Sequence, residues 1–247
     1  MTEPILRVEN LHVNFGGIRA ADDVNVDVHP GERLAIIGPN GSGKTTFLNL
    51  CTGYVKPDSG HVYLEGNSIT RLTPRTIARR GIARSFQIPQ LFTDKTLVEN
   101  IMLGVAARRG IWDVLRPLNR PDYRREAERF IELVGLQEST EKLAGELPEG
   151  TRKLADIAIA LTLKPRLLLL DEPTSGVSAR ERFALMETLI PALREEDVTA
   201  VFVEHDMDLV RRYAERVLVW DSGRVIAAGP PDTVLQDPQV LQNVVGV

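Results

Sequence analysis

The sequence predicts an α/β fold, in which helices alternate with the strands of a sheet that contains parallel strands. Short apolar runs at 33–37, 166–171, 199–204 and 216–220 have the length and composition of strands. A glycine-rich run at 38–43 separates the first of them from a helix predicted over 44–51. Strand, glycine-rich loop and helix in this order form one recognisable structural unit.

The N-terminal part predicts an antiparallel β portion. The segments 5–8 and 11–13 are short extended runs, and 24–28 alternates between apolar and polar residues with period two. After a turn at 57–60, the run 61–65 alternates in the same way. Near the other end, Asp221-Ser222-Gly223 predicts a hairpin turn into a strand over 224–228.

From about 71 to 163 the pattern becomes helical. A helix is predicted over 122–134, and a second one carries Leu154, Ile157, Ala158 and Leu161 on one face. Between 71 and 130 there are 13 basic residues against 6 acidic ones, which predicts a basic surface, either simply solvated or close to an anionic membrane. We therefore expect a helical subdomain over 88–163, inserted into a core formed by 1–87 and 164–247.

Composition excludes several classes of protein. The 247 residues are 43% hydrophobic and carry a net charge of −4, which does not suit a general nucleic-acid binder. The single cysteine, Cys51, permits no internal disulfide and favours a reducing compartment. No apolar run reaches about 18 residues, and the N-terminus lacks the pattern of a signal peptide. We expect a cytoplasmic globular protein.

The glycine-rich run fits the phosphate-loop pattern G-x-x-x-x-G-K-[ST] in the required context of strand and helix. Its backbone N–H groups converge on phosphate oxygens, and the helix N-terminus adds its positive dipole end. The lysine neutralises the β- and γ-phosphates, and the hydroxyl that follows it ligates Mg²⁺. The predicted phosphate-binding residues are Gly38, Pro39, Asn40, Gly41, Ser42, Gly43, Lys44, Thr45 and Thr46.

A second acidic motif completes such a site. The apolar run Leu167–Leu170 ends in Asp171 and Glu172, so a strand delivers two carboxylates to one edge of the sheet. Asp171 is the candidate metal ligand beside the phosphate loop. Glu172 is the candidate general base for a water that attacks the γ-phosphate.

With these motifs the sequence resembles the ATP-binding cassette (ABC) ATPases, and the resemblance covers essentially the whole chain. Five further stretches follow in the family's order: Phe15, Gln87, Leu147–Thr151, Ser175–Ser178 and His205. The resemblance implies a P-loop NTPase (RecA-like) core with an antiparallel β subdomain and an inserted helical subdomain.

The resemblance also implies a role for each stretch. Phe15 stacks on adenine, and Gln87 reaches the metal and the attacking water and senses the membrane partner. Ser175–Ser178 is the dimer-contact loop, and His205 contacts the γ-phosphate. Thr45, Gln87 and Asp171 hold Mg²⁺, directly or through water.

Two departures from the family pattern concern the dimer. The signature is usually Leu-Ser-Gly-Gly-Gln, whose serine hydroxyl and glycine amides hold a γ-phosphate across the dimer interface. Here Leu147 and Gly150 are retained, but Pro148, Glu149 and Thr151 replace the serine, the first glycine and the glutamine. Pro148 removes a hydroxyl and a backbone N–H, and Glu149 adds a negative charge. Ser178 also replaces the usual aspartate of the dimer-contact loop.

These features predict the ATP-hydrolysing subunit of a membrane importer that uses ATP and Mg²⁺. Several stretches resemble the branched-chain amino-acid and urea uptake branch: 81–87, 96–100, 204–207, the arginine-rich segment 108–129, and the tail at 228–231 and 237–240. Implied partners are permease subunits, a second ABC ATPase subunit in a homo- or heterodimer, and indirectly a periplasmic or extracellular solute-binding protein, but no nucleic acid. The implied location is cytoplasmic, peripheral on the inner face of the cell membrane.

Other functions stay open on the sequence. The altered signature is compatible with a regulatory cassette that binds ATP but hydrolyses it weakly, and the solute could be urea or another small molecule. A cassette ATPase that acts on DNA or ribosomes needs coiled-coil arms or a second cassette, which this chain lacks. The apolar cluster 111–115 either packs locally within this protein or docks on a permease or at the membrane surface.

Overall fold

A computed structural model describes residues 3–109 and 120–240. The described chain divides into two compact units. The first unit contains the described residues up to Ala78, Leu169–Glu172 and the chain from Thr199 onward. The second contains Arg79–Leu168, apart from 110–119, and Pro173–Val198. The apolar cluster 111–115 and part of the arginine-rich segment 108–129 lie outside the described residues.

The predicted strands and helices occur in the predicted order, and the structure adds several elements that the sequence patterns did not specify. The strands are β1 (Leu6–Phe15), β2 (Ile18–Val28), β3 (Arg33–Ile37), β4 (Ser59–Leu64), β5 (Asn67–Ser68), β6 (Ile82–Ser85), β7 (Leu167–Asp171), β8 (Thr199–Val203), β9 (Arg216–Asp221) and β10 (Arg224–Gly229). The helices are α1 (Lys44–Cys51), α2 (Pro74–Arg79), α3 (Leu97–Arg109), α4 (Pro121–Leu133), α5 (Glu149–Thr162), α6 (Ala179–Glu195), α7 (Met207–Tyr213), α8 (Pro231–Val234) and α9 (Pro238–Val240).

An antiparallel sheet of order β2-β1-β4-β5 lies in the first unit. Alternate residues of β1 and β2 are buried, which is the period-two pattern of a sheet with one covered face. The two predicted runs 5–8 and 11–13 form one continuous strand. The register shifts between Val8 and Leu11, where Asn10 has a φ of 46°, and this irregularity accounts for the break in the sequence pattern.

A second sheet in the first unit has the order β10-β9-β3-β8-β7, with the last three residues of β7 in this unit. Strand β3 pairs in parallel with both β8 and β9, while β10 pairs antiparallel with β9. Every residue of β7 and β8 is buried, as expected for parallel strands covered on both faces. The carboxyl ends of β3, β7 and β8 therefore meet at one edge of this sheet.

The second unit is mainly helical, and its helix α3 contacts both α4 and α5. A Cβ on Gly104 of α3 would lie 2.3 Å from the Thr162 hydroxyl of α5, so the glycine permits a close helix approach. Strand β6 corrects the helical prediction for 71–163: Ile82–Ser85 is extended and neighbours β7. The Leu167 N–H donates to the Gly81 carbonyl at 3.0 Å, so the strand depends on a partner distant in sequence.

The predicted limits of the helical subdomain, 88–163, stay a prediction. Among the helices that the structure describes, none combines the length and apolar character needed to cross a membrane.

Candidate nucleotide site

The glycine-rich loop connects β3 to α1, which begins at Lys44 as predicted. A Cβ on Gly38 would lie 2.0 Å from the Trp220 carbonyl oxygen, and one on Gly43 would lie 2.2 Å from the Ala20 carbonyl oxygen. Gly43 also has a φ of 111°, a conformation that favours glycine. Backbone from two neighbouring segments therefore packs directly against this loop and fixes its path.

Trp220 is buried and supports this loop. The sequence patterns predicted it only as the last residue of a strand over 216–220. Its side chain is 0% exposed, and its ring centroid lies 4.9 Å from that of Phe47 in α1. Through its carbonyl oxygen and its ring it fixes both the start of the loop and the helix that follows.

Lys44 lies over the loop that precedes it. Its Nζ donates hydrogen bonds to the carbonyl oxygens of Gly38 and Pro39, each at 2.8 Å. Burial lowers the pKa of the ammonium, and the negative charges of Glu172 and Asp171 oppose that shift. Lys44 is therefore a buried, positively charged donor held against the loop that the sequence predicts to bind phosphate.

Thr45 and Asp171 meet next to the loop. The Thr45 hydroxyl donates to Asp171 Oδ1 at 3.3 Å, and Asp171 is buried at the end of β7. A hydroxyl and a carboxylate oxygen are the hard ligands that Mg²⁺ prefers, and this ion usually completes its shell with phosphate oxygens and water. The described residues contain no group of three or more His, Cys, Asp or Glu side chains that could hold a metal ion.

Glu172 is held in an unusual backbone conformation directly after β7. Its φ is 51°, which is uncommon for a residue with a side chain, and its N–H donates to the Val203 carbonyl at 3.2 Å. Its Oε1 lies 3.0 Å from Nε2 of His205, which follows β8. Such backbone strain is frequently associated with functional sites, because the surrounding structure must maintain it.

Phe15 ends β1 in the first unit, where it pairs with Ile18 across a hairpin. Phe15 is 47% exposed and Ile18 is 69% exposed, so the tip of the hairpin presents apolar surface to solvent. The following residues of β2 reach the phosphate loop, because the Ala20 carbonyl packs against Gly43. Phe15 thus lies, about half exposed, on the hairpin that borders the loop.

Gln87 and the signature segment lie in the second unit. Gln87 is exposed two residues beyond β6, and its carbonyl oxygen accepts a hydrogen bond from Lys153 Nζ at 3.0 Å. In the signature, Leu147 is buried, Pro148 precedes α5, and Gly150 packs toward Val177.

Glu149 does not stand as an isolated charge. Its carboxylate accepts a hydrogen bond from the Arg152 guanidinium at 2.5 Å, one turn further along α5. The charge that the sequence places in the signature therefore has a local counter-charge, and the pair is about one-third exposed.

Ser178 begins α6 as its N-cap. Its hydroxyl accepts from the Glu181 N–H at 3.4 Å, and the Glu181 carboxylate accepts from the Ser178 N–H at 3.2 Å. The Ser178 hydroxyl also donates to the Glu181 carboxylate, and this hydrogen bond, together with that from the Ser178 N–H, lowers the pKa of Glu181. The pattern Ser-x-x-Glu is a capping box that the sequence shows directly, so the substitution of the usual aspartate keeps the function of a helix cap.

The structure thus brings two predicted pairs into contact in the first unit, Thr45 with Asp171 and Glu172 with His205. The charges of Asp171 and Glu172 also act on the Lys44 ammonium. A lysine, two carboxylates, a hydroxyl and a histidine around a phosphate loop form the apparatus of a nucleoside triphosphatase.

The comparison with known proteins decides which family this apparatus belongs to. The profile of the ABC transporter family matches residues 21–175. The chain belongs to this family. It is an ATPase subunit of the ABC transporter type, and the predicted α/β fold of the P-loop NTPases is confirmed.

Two of the similar proteins cover nearly all of the chain. It is 33% identical over 255 residues to a high-affinity branched-chain amino acid transport ATP-binding protein, LivG, of Escherichia coli K12, with 100% of this chain and 99% of LivG covered. It superimposes with a TM-score of 0.89 on the ADP conformation of an ATP-binding cassette from an ABC transporter, with 33% identity and 100% of both chains covered.

A third similar protein is a dimeric ATP-binding cassette in a post-hydrolysis state, bound to ADP and phosphate. It is 26% identical, with a TM-score of 0.78, and covers 92% of this chain and 98% of its own.

Proposed function

We propose that this chain hydrolyses Mg-ATP to drive the import of branched-chain or related amino acids. The observation that carries the chemical part is the contact of Glu172 with His205 beside Lys44, Thr45 and Asp171 in the first unit. The solute class is supported by the 33% identity to LivG over the whole chain.

Binding of ATP uses the loop and its flanking groups. Lys44 and the N–H groups of Asn40–Thr46 hold the phosphates, and Phe15 stacks on adenine. Thr45 and Asp171 hold Mg²⁺, with Gln87 as a further ligand, direct or through water. Bound there, the ion neutralises negative charge that develops on the phosphate oxygens.

Hydrolysis requires a group that takes a proton from water. Glu172 is this general base: its carboxylate accepts the proton as the water oxygen attacks phosphorus in line with the leaving ADP. His205, 3.0 Å from Glu172 Oε1, orients that carboxylate and offers a contact to the γ-phosphate. The strained backbone at Glu172 fixes the position of the base relative to the strand that carries Asp171.

The working form is a dimer on a membrane permease. The dimeric relative and the signature and dimer-contact segments of the second unit support pairing of two cassettes. In such a dimer each signature serves the ATP of the opposite chain. A heterodimer whose other subunit has an intact signature would then hydrolyse ATP normally at Lys44 and Glu172, and slowly at the other site.

A weakly hydrolysing regulatory subunit is the second candidate function. The specific observation that favours it is the replacement of the signature serine by Pro148, which caps α5 without any side-chain hydrogen bond. The complete set of catalytic groups in the first unit favours hydrolysis instead.

An uptake assay tests the proposed function. Cells that lack this chain should lose uptake of labelled leucine and valine, and wild-type protein should restore it while Glu172→Gln should not. Glu9→Gln, a carboxylate change on β1, is the matched control and should restore uptake. Loss of urea uptake with normal leucine uptake would assign the urea alternative, and restoration by Glu172→Gln would contradict a role for hydrolysis.

A further inference from the structure

Helix α5 carries two buried charged side chains, Lys153 and Asp156, which the predicted catalytic apparatus does not use. They are 3% and 6% exposed. Burial of a charge costs free energy unless hydrogen bonds and opposite charges compensate for it. The groups that compensate these two charges therefore indicate what the charges do.

Asp156 holds the backbone on both sides of Gln87. Its Oδ2 accepts from the Ser85 hydroxyl at 2.7 Å and from the Phe86 N–H at 3.1 Å, and its Oδ1 accepts from the Gln90 N–H at 3.0 Å. Burial raises the pKa of this carboxyl, while these three hydrogen bonds and the charge of Lys153 oppose the shift. One carboxylate thus fixes the segment 85–90 at three points.

Lys153 connects that segment to a second one. Its Nζ donates to the Gln87 carbonyl oxygen and to the Ser175 hydroxyl, each at 3.0 Å. Ser175 begins the dimer-contact loop, 175–178. A single ammonium therefore joins the segment that carries Gln87 to the loop that follows the second acidic motif.

The same helix begins within the signature, because α5 starts at Glu149. Gly150 packs toward Val177 of the dimer-contact loop, where a Cβ would lie 3.2 Å from Val177 Cγ1. All of these residues belong to the second unit. Within this unit, α5 contacts both of the segments to which dimer and metal roles are proposed.

We infer that Lys153 and Asp156 are positioning residues, through which the conformation of the Gln87 segment is coupled to that of the dimer-contact loop. This inference rests on the proposed function of the two segments. Asp156 anchors the Gln87 segment, and Lys153 transmits its displacement to Ser175, because one ammonium cannot keep both acceptors if either moves away. Neither residue is assigned a contact with nucleotide.

Hydrogen exchange of the intact protein tests this coupling without requiring turnover. We expect Lys153→Met to speed amide exchange in both 85–92 and 174–178 by roughly tenfold, since two acceptors lose their donor. Asp156→Asn should speed exchange mainly in 85–92, and Lys153→Arg should restore slow exchange. Lys142→Met, an exposed lysine of the same unit, is the matched control and should change neither segment.

Ser175→Ala leaves the buried ammonium in place, so it provides a second variant if Lys153→Met does not fold. The coupling predicts faster exchange at 85–92 as well as at 174–178 in this variant. An effect of Ser175→Ala confined to 174–178, or of Lys153→Met confined to one segment, would overturn the inference.

Kinetics add a second readout. Lys153→Met should lower kcat by about ten- to a hundredfold, with little change in KM for ATP because neither Gln87 nor Ser175 belongs to the phosphate loop. Ser175→Ala should have little further effect in the Lys153→Met background, whereas independent residues would give additive losses. A wild-type chain without turnover would contradict the proposed function. The exchange measurement would still show whether the Gln87 segment and the dimer-contact loop are coupled.

Discussion

The two units differ in how closely they follow the family pattern. In the first unit, Lys44, Thr45, Asp171, Glu172 and His205 keep the expected residue types. Thr45 contacts Asp171, and Glu172 contacts His205. In the second unit, three of the five signature positions are replaced. Under the proposed function, the first unit serves the chain's own ATP, and the signature serves a partner's. One chain can therefore retain its own hydrolytic groups while altering what it offers to another subunit.

The structure refines this contrast, because the second unit accommodates its departures locally. Glu149 is paired with Arg152, and Ser178 forms a complete capping box with Glu181. These contacts stabilise the starts of α5 and α6. The replacements thus preserve the helices of the second unit. We expect them to weaken the contribution of the signature to phosphate binding.

The largest effect is expected for Lys44→Ala in the first unit. Loss of the buried ammonium that faces the phosphates should lower kcat/KM for Mg-ATP by about a hundredfold or more. Steady-state phosphate release measures this change. Lys56→Ala, which alters the other lysine of the first unit, should retain turnover, and an equal loss in that control would attribute the effect to the fold instead.

Gly43→Ala should destabilise the first unit, because the new Cβ meets the Ala20 carbonyl at 2.2 Å and φ is 111°. We expect a loss of about 3 kcal/mol in the free energy of unfolding. Gly41→Ala is the matched control: φ is 78°, but nothing lies within 4 Å of the new Cβ, so the loss should be about 1 kcal/mol. Denaturant unfolding compares the two, and equal losses would contradict the close packing of the loop.

Restoring the signature tests the second unit. The double change Pro148→Ser and Glu149→Gly should raise ATP turnover in a homodimer by about tenfold, since a hydroxyl and an amide become available to the partner's γ-phosphate. Pro148→Ala removes the ring without adding a hydroxyl and serves as the control. Unchanged turnover in the double variant would show that the signature does not limit hydrolysis.

A smaller effect is expected for Phe15→Ala. Loss of the exposed ring should raise the Kd for ATP by about five- to tenfold, and Phe15→Trp should retain affinity. Titration calorimetry measures both variants. Ile226→Ala removes another exposed apolar side chain of the first unit and should leave the Kd unchanged; an unchanged Kd in Phe15→Ala would remove this residue from the nucleotide site.

Local sequence patterns predicted the parts of the molecule that depend on local chemistry. The phosphate-loop motif predicted α1 over 44–51, and the structure has Lys44–Cys51. Strand β6 was missed because four residues with an arginine and a serine carry little periodicity, and its hydrogen bonds depend on a distant partner. The strained φ of Glu172 was equally invisible, since the surrounding sheet imposes it.

The roles of Lys153 and Asp156 also depend on distant parts of the chain and could not be predicted from the sequence. In the sequence they interrupt an apolar face, and only the approach of segments about 20 and 70 residues away explains their burial. The sequence does show polar residues on an otherwise buried helix face. It does not show which residues they contact.

The central claim, that the first unit supplies the general base and the phosphate-binding groups for hydrolysis, is tested most directly by Mg-ATP turnover of the purified chain beside Glu172→Gln. We predict measurable turnover by the wild type and a loss of at least about a hundredfold in the variant, with ATP binding retained because Lys44 and the loop are unchanged. Equal turnover by both proteins would contradict the assignment of Glu172 as the base. ATP binding without wild-type turnover, even when cassettes with an intact signature are added, would contradict the claim that the first unit supplies these hydrolytic groups.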